Sequence, residues 1–157
     1  MWIMMIEIPA ILIYKKKIKG FGSVEELISS TSSKTLYLYD YDSFLGKEFN
    51  FKYYSDLGDI YKLWVEANLK KIRDLVDILV AGGEIVVLDP KSKFYRKNDD
   101  ILKYTDQVAI RLDDSVDLKK YKSFGGKYVI YNKDLEDKEL EVTKPVFLRG
   151  VIYDREI

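Results

Sequence analysis

Asp59-Ile-Tyr-Lys-Leu-Trp-Val-Glu-Ala-Asn-Leu-Lys-Lys-Ile-Arg-Asp-Leu-Val-Asp-Ile-Leu-Val-Ala81, followed by Gly82-Gly83, is the stretch on which the fold reading turns. Ile60, Leu63, Trp64, Ala67, Ile72, Leu75, Val76 and Leu79 recur at helical spacing, so the pattern predicts one long helix over Asp59–Ala81. The glycine pair supplies its C-terminal stop. Directly after it, Glu84–Asp89 has an apolar middle and ends at Pro90, which predicts a central strand covered on both faces.

Upstream, Thr35–Asp42 alternates with period two: Thr35, Tyr37, Tyr39 and Tyr41 on one face, Leu36, Leu38, Asp40 and Asp42 on the other. Phe49–Tyr54 reads as a second strand, joined to the first as a hairpin across Ser43–Lys47. Ser23-Val-Glu-Glu26 is a capping box opening a short helix that runs to about Ser30. Met1–Tyr14 is apolar apart from Glu7, too short for a membrane span, and interrupted by Pro9. Its lysines follow it rather than precede it, so it reads as a core strand bent near Pro9 and not as a signal peptide. Further strands are expected at Val108–Leu112, Tyr128–Tyr131, Leu140–Thr143 and Val146–Tyr153, with short helices at Asn98–Tyr104 and Ser115–Tyr121. The expected class is α+β: a mixed or antiparallel sheet packed against one long helix and short helices, in one domain spanning 1–157.

Composition removes whole classes of chemistry. The 157 residues include no cysteine and no histidine. Disulfides, thiolate sites, imidazole ligands and His-based triads are excluded. A metal centre here must use carboxylates around a hard cation such as Mg²⁺ or Mn²⁺. Lys+Arg and Asp+Glu both total 26, so no global field draws the chain to a polyanion, and any such site is a local patch. An intracellular setting is expected, with no membrane partner.

Four features carry candidate chemistry. Asp40 and Asp42 continue the apolar face of a strand, where a divalent cation offsets their burial; the simpler alternative is that the strand ends at Asp40 and both are solvated turn acids. Asp89 closes a strand at its C-terminal end, where site residues collect, and Glu84 sits at the opposite end as an alternative acid. Lys91, Lys93, Arg96 and Lys97, interleaved with Phe94 and Tyr95, form a basic aromatic loop suited to nucleic-acid phosphates and bases, or else a solvated loop. Gly20-Phe21-Gly22-Ser23 opens a helix, where backbone amides attract phosphate. Lys15–Lys19 adds a second basic cluster.

In chain order, Gly22-Ser23 leading a helix, Asp40-x-Asp42 ending a strand and Asp89 ending a later strand resemble the nucleotidyltransferase superfamily arrangement over about Ile11–Asp89. That resemblance implies Gly22 and Ser23 at phosphate and Asp40, Asp42 and Asp89 as metal ligands. The whole chain, rich in Tyr, Ile and Lys and lacking Cys, is also similar to the small α+β proteins of filamentous viruses of hyperthermophilic archaea, which include a nuclease of remotely nucleotidyltransferase-like topology. This likeness implies carboxylate-based cleavage of linear double-stranded DNA in the host cytoplasm; the residues themselves offer Asp40, Asp42, Glu84 and Asp89 as the candidate catalytic acids. The competing expectation is a non-catalytic DNA-binding or viral accessory module. The 13 tyrosines and two tryptophans also offer material for a homo-oligomer interface.

Overall fold

The computed structural model of the protein describes residues 4–91, 101–112, 114–130 and 147–152. In chain order the elements are β1 (Met4–Tyr14), β2 (Lys17–Ile18), α1 (Val24–Ser30), β3 (Thr35–Asp40), α2 (Tyr41–Phe44), α3 (Phe51–Gly58), β4 (Lys62–Glu66) and α4 (Ile72–Ala81). They continue as β5 (Ile85–Leu88), β6 (Val108–Arg111), α5 (Leu118–Ser123), β7 (Tyr128–Ile130) and β8 (Phe147–Ile152). The sheet runs β2-β1-β3-β4-β5-β6-β7, and β8 pairs with β1 off this path. From β1 to β7 the neighbours β1, β3, β4, β5, β6 and β7 are all parallel, and β2 and β8 add antiparallel edges, so the sheet is mixed.

β1 changes partner along its length. Up to Pro9 it pairs antiparallel with β8, and from Ala10 it pairs parallel with β3. The handover falls where proline removes a backbone donor, which is where the sequence predicts a bend.

The sheet curls. Trp64 on β4 and Tyr128 on β7 stand three strands apart, roughly 14 Å in a flat sheet. Their ring centroids are 5.7 Å apart, edge to face. β8 also lies against β7 as well as pairing with β1. The concave face is filled by Ile8, Leu12, Tyr37, Trp64, Val87 and Ile130. On the opposite face the helices deliver their apolar stripes: Leu27 from α1, Tyr54 and Leu57 from α3, Leu75 and Ile78 from α4, and Tyr121 from α5.

Three expectations are corrected. The long helix over Asp59–Ala81 is instead a strand, β4, followed by a helix, α4, with Ala67–Lys71 between. Leu63 and Val65 pack on the helix side and Trp64 on the concave side, so this strand is apolar on both faces. Such a run has no period-two signature, and its residues fall by chance on helical spacing. Phe49–Tyr54 is not a strand; α3 begins at Phe51 and buries Tyr54 and Leu57 at helical spacing. The hairpin across Ser43–Lys47 is therefore absent, and β3 pairs in parallel with β1 and β4.

Other elements follow the sequence closely. The Ser23 cap of α1 is formed, with the Glu26 amide donating to Ser23 Oγ at 3.1 Å, while the Glu26 side chain reaches one residue further back than a capping box does and accepts the Gly22 amide at 2.6 Å. Gly82 ends α4 at a φ of 135°, which a side chain rarely adopts. β5 is central and buried throughout, as its apolar middle requires. The strand expected at Leu140–Thr143 lies outside the described residues, and of the helix expected at Asn98–Tyr104 only the part from Ile101 is described, with Ile101 and Leu102 helical.

Candidate nucleic-acid interface

Asp40 ends β3 and Asp42 lies in the helical turn that follows, so both stand at the C-terminal rim of the parallel strands. Their oxygens are already engaged. Asp42 Oδ1 accepts the Lys15 amide at 2.7 Å, and Oδ2 accepts the Lys16 amide at 2.9 Å and Asn50 Nδ2 at 3.1 Å. Asp40 Oδ1 accepts Asn50 Nδ2 at 2.8 Å, and Oδ2 accepts the Asn50 amide at 2.9 Å together with the Tyr54 hydroxyl. Asn50 stands at the N-cap of α3 without a side-chain cap bond, and its Nδ2 donates to both carboxylates.

Backbone contacts extend the cluster. The Lys47 amide donates to the Asp42 carbonyl at 3.0 Å. Ser43 Oγ donates to the Asp40 carbonyl at 2.7 Å and accepts the Asn68 amide at 2.9 Å. Asp42-Ser43 thus ties together three loops: the β1–β2 turn, the loop after α2 and the β4–α4 loop. Each carries lysine: Lys15–Lys17, Lys47 beside Glu48, and Lys70-Lys71 respectively.

Between the second and third loops lies a groove of about 600 Å³ lined by Ser43, Lys47, Phe49, Phe51, Lys70 and Lys71, with Arg73 and three acids completing it. Of those acids, Asp74 accepts the Lys70 and Lys71 amides at 2.8 and 3.1 Å, Asp77 faces Arg73 at 3.9 Å, and Glu48 is exposed next to Lys47 in the chain. Among the described residues no carboxylate is paired with the ammonium of Lys47, Lys70 or Lys71. The groove wall contributes an aromatic pair, Phe49 and Phe51, with ring centroids 5.7 Å apart, and Phe51 is 39% exposed. Unpaired cations beside an open ring suit a phosphate attached to a base.

No family model and no curated protein matches this chain. The residues themselves must therefore carry the functional argument.

A second polar cluster occupies the concave face at the same rim. Glu66, the last residue of β4, is fully buried. It accepts Arg111 Nε at 2.9 and 3.1 Å and the Tyr37 hydroxyl, and Arg111 Nη2 reaches Asp89 at 3.2 Å. Burial pushes the Glu66 carboxyl above its ordinary value, against the opposing pull of the Arg111 charge and the Tyr37 hydrogen bond. Burial works against the charge on Arg111 as well, but Glu66 and its neighbours outweigh it and the guanidinium stays protonated. This cluster links β3, β4, β5 and β6 across the inside of the curl.

The residues expected to form one site are divided between the two faces of the sheet. Asp40 bonds Tyr54 on the helix side, whereas Asp89 bonds Arg111 on the concave side. Asp89 also accepts the Lys91 amide at 2.9 Å, which makes it a turn acid as well as an ion-pair partner. Glu84 is exposed at the N-terminal end of β5, away from that rim. Lys93, Arg96 and Lys97 lie outside the described residues. The amide of Gly22 and the hydroxyl of Ser23 serve the α1 cap rather than an open phosphate cradle.

This geometry does not fit the Mg²⁺ or Mn²⁺ that the nucleotidyltransferase resemblance implies. Every oxygen of Asp40 and Asp42 already receives a donor, and Asp89 belongs to the other face. Among the described residues no group of three Asp, Glu, His or Cys side chains is placed to hold a metal ion. Also among the described residues, no helix is long and apolar enough to cross a membrane.

Sequence reasoning missed Glu66, Arg111, Asn50 and the groove lysines Lys47, Lys70 and Lys71. A signal existed for the first two. Each is the charged residue at the end of an otherwise apolar strand interior, and two opposite charges in buried strands call for one another.

Burial raises the Asp40 carboxyl above its ordinary value, even though Tyr54 and Asn50 bonds pull it down. The folded protein then binds a proton at Asp40 at a pH where the unfolded chain remains ionised. The contribution of Asp40 to stability accordingly rises as pH falls from neutral through its raised pKa toward the ordinary carboxylate range. Wild type is expected to gain stability relative to Asp40→Asn over that window. Urea midpoints of both proteins at neutral and mildly acidic pH check this, and parallel pH profiles would show that Asp40 titrates as an ordinary aspartate.

Proposed function

We propose that the protein is a nucleic-acid-binding module that holds phosphates in the groove between the α2–α3 and β4–α4 loops. The observation that carries this reading is the convergence of three lysine-bearing loops on Asp42-Ser43, beside Phe49 and Phe51, in a chain of zero net charge. Without a global field, the local placement of Lys47, Lys70 and Lys71 is what concentrates a polyanion. The nuclease reading required Asp40, Asp42 and Asp89 as metal ligands. With those oxygens committed to backbone amides, Asn50, Tyr54 and Arg111, the binding alternative has the stronger support.

The test is fluorescence anisotropy with labelled DNA over a range of salt, alongside incubation of linear double-stranded DNA with and without Mg²⁺ or Mn²⁺. Binding is expected to need no metal and to weaken steeply with salt. Lys47→Glu/Lys70→Glu/Lys71→Glu is expected to weaken it by at least about tenfold and to flatten the salt slope by about 2, with an unchanged circular dichroism spectrum. Unaltered affinity in the folded triple variant would remove the groove from consideration. Metal-dependent cleavage by wild type would restore the nuclease reading.

A further inference from the structure

We infer that the ligand of this groove is a single-stranded polynucleotide, and that it continues from the groove over the sheet rim on to the β1–β2 turn. The inference rests on the binding reading above and adds the strandedness and path of the ligand.

Two places near Asp42 combine a ring with ammonium groups. In the groove, Phe51 stands beside Lys47, Lys70 and Lys71. At the end of β1, Lys15 Nζ and Lys19 Nζ lie 5.3 and 5.4 Å from the centroid of the Tyr14 ring, which Tyr41 meets edge-on at 5.5 Å. A ring with a cation beside it addresses both parts of a nucleotide, the base by stacking and the phosphate by charge. In a duplex the base faces are covered by neighbouring bases, and an exposed ring gains nothing from them. The open ring surface of Phe51 therefore favours a strand whose bases are free, and the half-buried Tyr14 ring, with the two ammonium groups over it, marks a second cationic point for the phosphates of that strand.

The path follows from the hub. Asp42 holds the Lys15 and Lys16 amides through its carboxylate and the Lys47 amide through its carbonyl. The two basic clusters are thereby fixed to one residue. Tyr53 of α3 adds a bond from its hydroxyl to the Lys16 carbonyl at 2.8 Å, closing the turn against the helix side. Lys15 and Lys16 adopt φ values of 52° and 60°, a left-handed conformation unfavourable for lysine. Asp42 and Tyr53 hold this turn in place, and it leaves Lys15, Lys16 and Lys17 all exposed.

The experiment compares an oligodeoxythymidylate with a duplex of the same length, and a short oligodeoxythymidylate with a longer one. Wild type is expected to bind the single strand more tightly than the duplex, and the longer strand more tightly than the short one. Phe51→Leu is expected to weaken single-strand binding by about tenfold or more, with little change for the duplex. Lys15→Glu/Lys16→Glu/Lys17→Glu is expected to bring the longer strand down to the affinity of the short one. Duplex binding equal to or tighter than single-strand binding would overturn the inference; continued weakening by the groove triple variant would then leave the binding reading standing. A length-independent affinity untouched by the turn substitutions would overturn the path. No binding of either nucleic acid by the folded protein would remove the binding reading and this inference together.

Discussion

Arg111→Met is expected to lower the stability of the fold by about 3–5 kcal/mol, because it strands the carboxylate of Glu66 without its countercharge. Glu66 is fully buried and the Arg111 side chain is only 10% exposed, so water cannot replace either partner without opening the curl. The remaining donor to Glu66, the Tyr37 hydroxyl, does not neutralise it. The cost belongs to the stranded charge rather than to the pair. Glu66→Gln/Arg111→Met is accordingly expected to fall within about 1 kcal/mol of wild type, since desolvation of two ions is also relieved. Asp89 tolerates the loss of Arg111 because it is partly exposed and retains the Lys91 amide. Urea unfolding of wild type, both single variants and the double variant closes the cycle. An Arg111→Met cost below about 1 kcal/mol would mean that the concave cluster is hydrated and does not brace the sheet.

How far the sequence reveals this arrangement depends on how local each signal is. The α1 cap is legible because Ser23 and Glu26 meet within one turn. β5 is legible because a short apolar run between Gly82-Gly83 and Pro90 has no room for a helix. β4 is not legible in the same way. Leu63, Trp64 and Val65 are apolar because both faces of the strand are covered, and that coverage is a property of the curled sheet rather than of the segment. α3 misleads for a related reason: Phe51, Tyr53 and Tyr54 are residues of high strand propensity, yet Tyr54 is recruited by the Asp40 carboxylate and by the helix-side core.

The candidate site divides along the same line. That Asp40 and Asp42 are unusual is visible from their place on an apolar face. What they bind is not visible, because their partners include backbone amides, which every residue but proline carries, and because the Lys15 and Asp42 positions are 27 residues apart. Carboxylates at a strand end suit a metal or a set of N–H donors equally well. The fold supplies the donors by turning Lys15 and Lys16 back toward the rim.

That substitution of amides for a metal gives the hub its second large expected effect. Asp42→Ala removes the acceptor for the Lys15 and Lys16 amides and for Asn50 Nδ2, and is expected to cost about 2–3 kcal/mol. Asp42 is 4% exposed, so the cavity left behind does not simply fill with solvent, although the lysine amides near the surface recover part of the loss by bonding water. The effect on binding separates two physical pictures. By charge alone, deleting an acid between basic loops raises the local positive potential and strengthens the hold on a polyanion. By geometry, the lysines act together only while Asp42 keeps the β1–β2 turn against the groove, and its loss frees a turn whose left-handed backbone is unfavourable on its own. Geometry is expected to prevail for a ligand that spans both clusters: Asp42→Ala weakens binding of a long single strand while leaving a short strand, confined to the groove, at wild-type affinity or slightly tighter. Anisotropy with the two lengths distinguishes the pictures directly. Stronger binding of both lengths would mean that the basic loops need no common anchor and that Asp42 serves the fold alone.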